Sequence, residues 1–136
     1  MRRADGSSFW CAVNVRPLDT SVPERGLMLA LMRKASDANI QVAYHAIGDE
    51  GNRLVLNWME KTFADAGVKG EDKRWRNEHS QILHVEDIPR FKSLGIIPSM
   101  QPSHAIGDLF FVPSRIGVAR TTGAYAWQSM LQMGVP

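Results

Sequence analysis

Apolar side chains recur along this chain with two alternating periods, one typical of helices and the other typical of strands. From about residue 24 to 38 the apolar residues recur every three or four positions, which predicts an amphipathic helix. Residues 40–45 alternate instead, with apolar side chains on one face and small or polar ones on the other. That alternation predicts a strand that ends at His45.

The rest of the chain continues this helix and strand alternation. The predicted elements are a helix over 54–66, a strand over 74–79, a helix over 85–95, a strand over 96–102, a long loop and a helix over 122–134. The first 22 residues, which contain Pro17, are predicted to be irregular. Strands that alternate with helices pair in parallel with right-handed crossovers. We therefore expect an α/β fold of about three parallel strands in a single domain spanning 1–136.

The composition of the chain argues against nucleic-acid-binding and membrane proteins. The chain is 44% hydrophobic and 22% charged with a net charge of +2, which is typical of a soluble globular protein and lacks the basic stripe of nucleic-acid modules. The single cysteine, Cys11, excludes an internal disulfide. Neither a signal peptide nor a transmembrane run is apparent. We expect a cytoplasmic protein with no nucleic-acid or membrane partner.

Three histidines occupy similar positions in this pattern. His45 ends the first predicted strand, His79 ends the second and His104 follows the third, at intervals of about one βα unit. In folds with parallel strands, ligands bind at the carboxyl ends of the strands, so we expect the three imidazoles to meet at one edge of the sheet. Imidazole is a common zinc ligand. A structural role for each histidine is the open alternative, and His84 is expected at the surface.

Other catalytic patterns are absent from the sequence. It contains no GxSxG nucleophile elbow, no phosphate-binding GxxxxGK[ST] loop and no HExxH zinc motif. Ser99 and Ser103 lie near His104, but no acid is placed to orient a triad.

The stretches "YHAIGDEGN", "RNEHSQILHVEDIPRFKSLGIIPSMQPSH" and "SRIGVARTTGAYAWQSMLQMG" resemble the YtcJ-like branch of the amidohydrolase superfamily, amidohydrolase family 3. The resemblance implies a (β/α)8 TIM barrel of which this chain is a part. It would supply strands five to seven with their helices, and would lack strands one to four and strand eight. The chain is then expected to be a fragment.

The resemblance also implies the site residues. His45 and His79 match metal ligands, zinc being the expected divalent ion. Four further residues match the substrate side of the family site: His104, Gln101, Asp108 and Arg115. The HxH pair and the general-base aspartate have no counterpart, so no catalytic residue is expected within the chain. Asn77 stands where the family usually has an apolar residue, which is expected to perturb the barrel interior.

The implied function is a metal-dependent hydrolase that acts on a non-peptide C–N bond of a small-molecule substrate. With two of the usual ligands, this chain is expected to bind metal weakly and to be weakly active or inactive. The alternative is a non-catalytic barrel fragment that self-associates. Because unpaired strand edges favour pairing with another chain, a homo-oligomer that closes the sheet edges is expected in either case.

Overall fold

The computed structural model describes residues 11–13 and 24–136 of the chain. Its strands are β1 (Cys11–Val13), β2 (Val42–Ala46), β3 (Arg76–His79) and β4 (Ile97–Ser99). Its α-helices are α1 (Glu24–Asp37), α2 (Asp49–Ala66), α3 (Gly70–Lys73), α4 (Ile88–Leu94), α5 (Pro102–Asp108), α6 (Val112–Ile116) and α7 (Trp127–Gln132). Two 3₁₀ helices, Val85–Asp87 and Val118–Gly123, precede α4 and α7.

The four strands form one parallel sheet in the order β1-β2-β3-β4. Spatial order therefore follows chain order, as it does for consecutive strands of a (β/α)8 barrel. The register places His45 opposite Glu78 and Ala46 opposite His79. The predicted α/β architecture of parallel strands alternating with helices is confirmed.

Three parts of the predicted pattern are wrong. Cys11–Val13, within the stretch predicted to be irregular, pairs with β2 as a fourth strand, and the other residues of that stretch lie outside the described part of the chain. The loop predicted after β4 is largely helical, because Pro102 and Pro113 stand in the first turns of α5 and α6, where proline is favoured. The last helix begins at Trp127 rather than at 122.

The core lies between the sheet and the helices that pack on one of its faces. Its most deeply buried side chains come from strand-flanking positions and from α1, α2 and α4: Trp75, Phe91, Met32, Leu56, Met59 and Ile96. The Trp75 ring packs against Phe63 of α2, and its indole N–H donates to the Ile40 carbonyl at 3.1 Å. This packing fixes the helices behind the sheet and leaves the carboxyl ends of the strands free to build a site. Within the described residues, no helix is long and apolar enough to cross a membrane.

Candidate functional site

The structure brings His45, His79 and His104 together at the carboxyl ends of the strands. The ring centroids of His45 and His79 are 4.2 Å apart with an interplanar angle of 66°. The His79 and His104 rings are stacked, 5.2 Å apart at 14°. His45 and His104 are exposed, whereas His79, between them, is half-buried.

His79 reaches His45 only because the chain leaves β3 in an unusual conformation. Its register partner is Ala46, so the regular alternation of a strand would place His79 on the opposite face of the sheet from His45. His79 and Ser80 instead have φ angles of 73° and 47°, in the left-handed region. Each such non-glycine residue costs about 1–3 kcal/mol, and such strain concentrates at functional sites.

Hydrogen bonds to β2 and its following turn hold this left-handed segment in place. The Ser80 N–H donates to the Ala46 carbonyl at 3.0 Å, and the Ile82 N–H donates to the Ile47 carbonyl at 2.9 Å. The buried Ser80 hydroxyl donates to the carbonyl of Asn77 at 3.1 Å. The ends of β2 and β3 are thereby tied into one rigid edge.

A pair of fully buried asparagines reinforces that edge. Asn52 of α2 donates through Nδ2 to the carbonyls of Ile47, Gly48 and Ile82 at 3.1, 2.8 and 3.0 Å. Its Oδ1 accepts from Nδ2 of Asn77 at 2.7 Å. The strand turns Asn77 toward α2 and away from the face of His45, so, contrary to the expectation, it does not perturb that face. Its Nδ2 is paired there, and its Oδ1 is buried with no hydrogen-bond partner among the described residues.

Two imidazoles of the cluster fit a partial metal-ligand set. Burial, and secondarily the charges of His45 and His104, lower the pKa of His79, which favours the neutral ring that metals bind. The Nδ1 atom of His79 is buried and has no hydrogen-bond partner in the described part of the chain. Glu78 lies on the face of His45, but Nε of Arg76 donates to its carboxylate at 2.7 Å. Among the described residues, no set of three His, Cys, Asp or Glu side chains is arranged to hold a metal ion.

A second polar cluster lies beside the histidines. Nε2 of the buried Gln81 donates to Oδ2 of Asp108 at 2.8 Å and to the hydroxyl oxygen of Tyr125 at 2.7 Å. The Tyr125 hydroxyl donates to the same Asp108 oxygen, and burial together with this bond raises the pKa of Tyr125. The Asp108 carboxylate therefore already has partners within the protein.

Two of the histidines, His79 and His104, and two members of this cluster, Gln81 and Asp108, border a cavity of about 590 Å³. Its lining includes His79, Gln81, His104, Asp108, Phe111 and Arg115. Arg115 is exposed, and its guanidinium has no side-chain partner among the described residues. Gln101 does not line this cavity; its Nε2 donates to the Ser99 carbonyl at 3.0 Å. Of the residues expected on the substrate side, three therefore border the cavity and Gln101 does not.

The sequence interpretation missed an ion pair that closes one side of the cavity. Asp49, at the start of α2, is 8% exposed and accepts from Nε and Nη2 of Arg120 at 2.9 and 2.6 Å. The bonds from Arg120 hold the pKa of Asp49 below its usual range. His84, expected at the surface, is half-exposed with Nε2 4.0 Å from this carboxylate. Asp49 and Arg120 are 71 residues apart in the sequence, and no local pattern indicates that they meet.

Known proteins resemble this chain in sequence and in structure. At 38% identity over 98 residues, it is similar to LONG AFTER FAR-RED 3 of Arabidopsis thaliana, covering 71% of this chain and 16% of that protein. At 34% identity over 105 residues, it is similar to the putative amidohydrolase YtcJ of Bacillus subtilis, covering 77% of this chain and 19% of that protein. The chain thus spans less than a fifth of the length of either relative.

Two solved structures, both of uncharacterized metal-dependent hydrolases, have a similar fold. The one from Pyrococcus furiosus aligns with a TM-score of 0.62 at 25% identity, over 78% of this chain and 20% of that one. The one from Pyrococcus horikoshii OT3 aligns with a TM-score of 0.66 at 25% identity, over 91% of this chain and 25% of that one. The amidohydrolase family model matches residues 5–136. With its parallel βα units and clustered strand-end histidines, this chain belongs to the amidohydrolase family.

Proposed function

We propose that this chain contributes part of the active site of a metal-dependent hydrolase that acts on a non-peptide C–N bond of a small molecule. The observation that carries the proposal is the approach of His45 and His79, with ring centroids 4.2 Å apart and an unpartnered Nδ1 on His79. Family membership supports hydrolysis as the reaction class. His45 and His79 are the proposed metal ligands.

The proposed metal is zinc, which when bound supplies Lewis-acid activation of water and of the substrate carbonyl. The protein's own contribution is to keep His79 neutral by burial and to hold its ring against His45 through the left-handed turn. Both effects lower the cost of organising the ligands before an ion arrives.

The cavity next to the histidines is the proposed substrate site. His104 offers a ring nitrogen, and Arg115 offers a cation that has no carboxylate partner among the residues the structure describes. Asp108 acts there through its bonds to Gln81 and Tyr125. Gln101, whose Oε1 is buried without a hydrogen-bond partner, completes the proposed substrate-side set from outside the cavity lining.

Two imidazoles form an incomplete donor set, since catalytic zinc sites usually have about three protein ligands. We therefore expect weak metal binding and weak or absent turnover from the 136-residue chain by itself.

Zinc titration of the metal-free chain by calorimetry tests the ligand assignment. We expect one weak site in the wild type, its loss in the double variant His45→Ala/His79→Ala, and its retention in His84→Ala, the matched control. Circular dichroism spectra of all three proteins establish that the fold is kept. Unchanged zinc binding in the double variant would contradict the proposed site.

The second candidate function is non-catalytic, a barrel segment that self-associates. It is favoured by the outer edges of β1 and β4, which have no strand partner among the described residues. Unpaired edges are templates for pairing with another chain. Sedimentation equilibrium over a wide concentration range is expected to give a dimer or larger species. A monomer at every concentration would reject this candidate and would leave the zinc titration to decide the first.

A further inference from the structure

We propose that Gln81 is a positioning residue that holds the neutral His104 ring in the tautomer with its proton on Nδ1, which leaves Nε2 as the acceptor. The backbone of Gln81 and the Asp108 carboxylate fix the orientation of the Gln81 amide. The amide oxygen in turn determines which ring nitrogen of His104 carries the proton. The tautomer follows from the hydrogen bonds alone, and its use toward a substrate rests on the proposed function.

The first step is that Gln81 has little freedom to move. It is 5% exposed, and its backbone carbonyl accepts from the Tyr125 N–H at 2.7 Å. Its neighbour Ile82 forms an antiparallel bridge with Ala124. The turn after β3 is therefore clamped by the segment that precedes α7, and the Gln81 side chain starts from a fixed backbone.

The second step is that its amide can face only one way. Oδ2 of Asp108, 2.8 Å from Nε2, belongs to a carboxylate, which accepts hydrogen bonds and does not donate them. The Tyr125 hydroxyl gives its proton to that same carboxylate, so its oxygen also accepts from Nε2. Nε2 of Gln81 must therefore face this side, because an amide oxygen could not take its place against the carboxylate, and Oε1 faces the other side.

The third step transfers this orientation to the imidazole. Oε1 of Gln81 lies 3.4 Å from Nδ1 of His104. An amide oxygen has no proton to give, so the contact is a hydrogen bond only when Nδ1 carries one. At 3.4 Å the bond is long, but the other tautomer would set two lone pairs against each other. A neutral imidazole has a single N–H, which leaves Nε2 unprotonated.

The consequence concerns what the cavity recognises. The His104 ring borders the cavity and stacks on His79. A group that binds this ring through Nε2 must donate, as the N–H of an amide or the O–H of water does. We infer that His104 favours substrates that carry a donor and accepts the proton of that donor in a hydrogen bond. In this preference for a donor, Gln81 acts through the His104 ring.

Nitrogen-15 NMR of the labelled, metal-free chain tests the tautomer directly. At a fixed pH about two units above the ordinary imidazole pKa of about 6.5, two-bond N–H correlations distinguish protonated from unprotonated ring nitrogens. The His104 signals are assigned by their loss in His104→Gln. We expect a single Nδ1–H form in the wild type and a mixture of both forms in Gln81→Leu. A wild-type ring protonated on Nε2 would overturn the proposal.

A matched pair of variants separates the amide lock from general loosening of the fold. Asp108→Ala removes the acceptor that forces the amide, and the remaining Tyr125 hydroxyl can donate or accept, so the tautomer is expected to become mixed. Tyr125→Phe keeps the carboxylate, so the Nδ1–H form is expected to persist. Equal spectra for the two variants would overturn the proposal, and so would a mixed tautomer in Tyr125→Phe alone. The NMR measurement uses neither metal nor substrate turnover, so its result does not depend on whether the chain binds zinc.

Discussion

The buried asparagine pair behind the strand ends gives the sharpest test of how this site is held. In Asn52→Ala, Nδ2 of Asn77 loses its acceptor and the Ile82 carbonyl loses its side-chain donor. Leaving a buried polar group without a partner costs about 1–3 kcal/mol, so two such groups predict a loss of about 2–6 kcal/mol in unfolding free energy. The Ile47 and Gly48 carbonyls keep backbone donors and add little.

Asn57→Ala is the matched control, because Asn57 lies in the same helix and is exposed. Its Oδ1 accepts from Arg90 at 2.8 Å, an arginine that also pairs with Glu60 and Asp87. Both variants gain the same small helix propensity, so their difference isolates the buried network. With a urea m value of about 2 kcal/mol per M, a loss of ~4 kcal/mol lowers the unfolding midpoint by about 2 M relative to the control. Equal midpoints for the two variants would refute the reasoning.

Three other predictions address the backbone and the ion pair. Gly123→Ala would place a Cβ atom 1.9 Å from the Leu83 carbonyl oxygen, so we expect it to lower the free energy of unfolding by more than about 2 kcal/mol. The control is Gly107→Ala, whose Cβ would meet nothing within 4 Å and should cost little. Equal melting temperatures for the two variants would contradict this. Because Arg120 lowers the pKa of Asp49, the stability advantage of wild type over Asp49→Asn should be full above the unfolded pKa of about 4 and fall as pH drops through the lower folded pKa. Urea titrations between neutral and acid pH measure it, and a constant difference would argue against the ion pair. His79→Gly should be more stable than His79→Ala by about 1–2 kcal/mol, because both variants lack the ring and only glycine adopts a φ of 73° without strain. The reverse order of stability in thermal denaturation would show that the backbone at this position is not strained.

The sequence predicted the elements that bury a periodic face. Helices α1 and α2 and strand β2 carry apolar positions at clear periods because each packs one side against the core. The strand β1, with three residues, is too short to show any period. Helix α5 and the residues between α5 and α6 expose large apolar side chains, Ile106 and Phe110 among them, so the apolar pattern there does not mark an inner face.

The candidate site was predictable as a set of strand ends but not as a geometry. Strand spacing placed three histidines at one edge, and the structure has their rings in contact. The φ of His79 follows from hydrogen bonds to a neighbouring strand, which no local sequence signal encodes. The roles of Gln81 and Asp49 depend on partners 44 and 71 residues away, and single-sequence reasoning has no means to pair them.

The order of the strands in the sheet has a consequence for how the molecule assembles. Each strand pairs with the next one along the chain, so each pairing closes only the loop that contains the connecting helix or helices. The contacts of Gln81 with Tyr125 and of Asp49 with Arg120 close longer loops, of 44 and 71 residues. Longer loops cost more entropy to close, and contacts across them tend to form after local ones. We therefore expect residues 118–125 to dock late in folding, so that the cavity beside the histidines forms after the sheet.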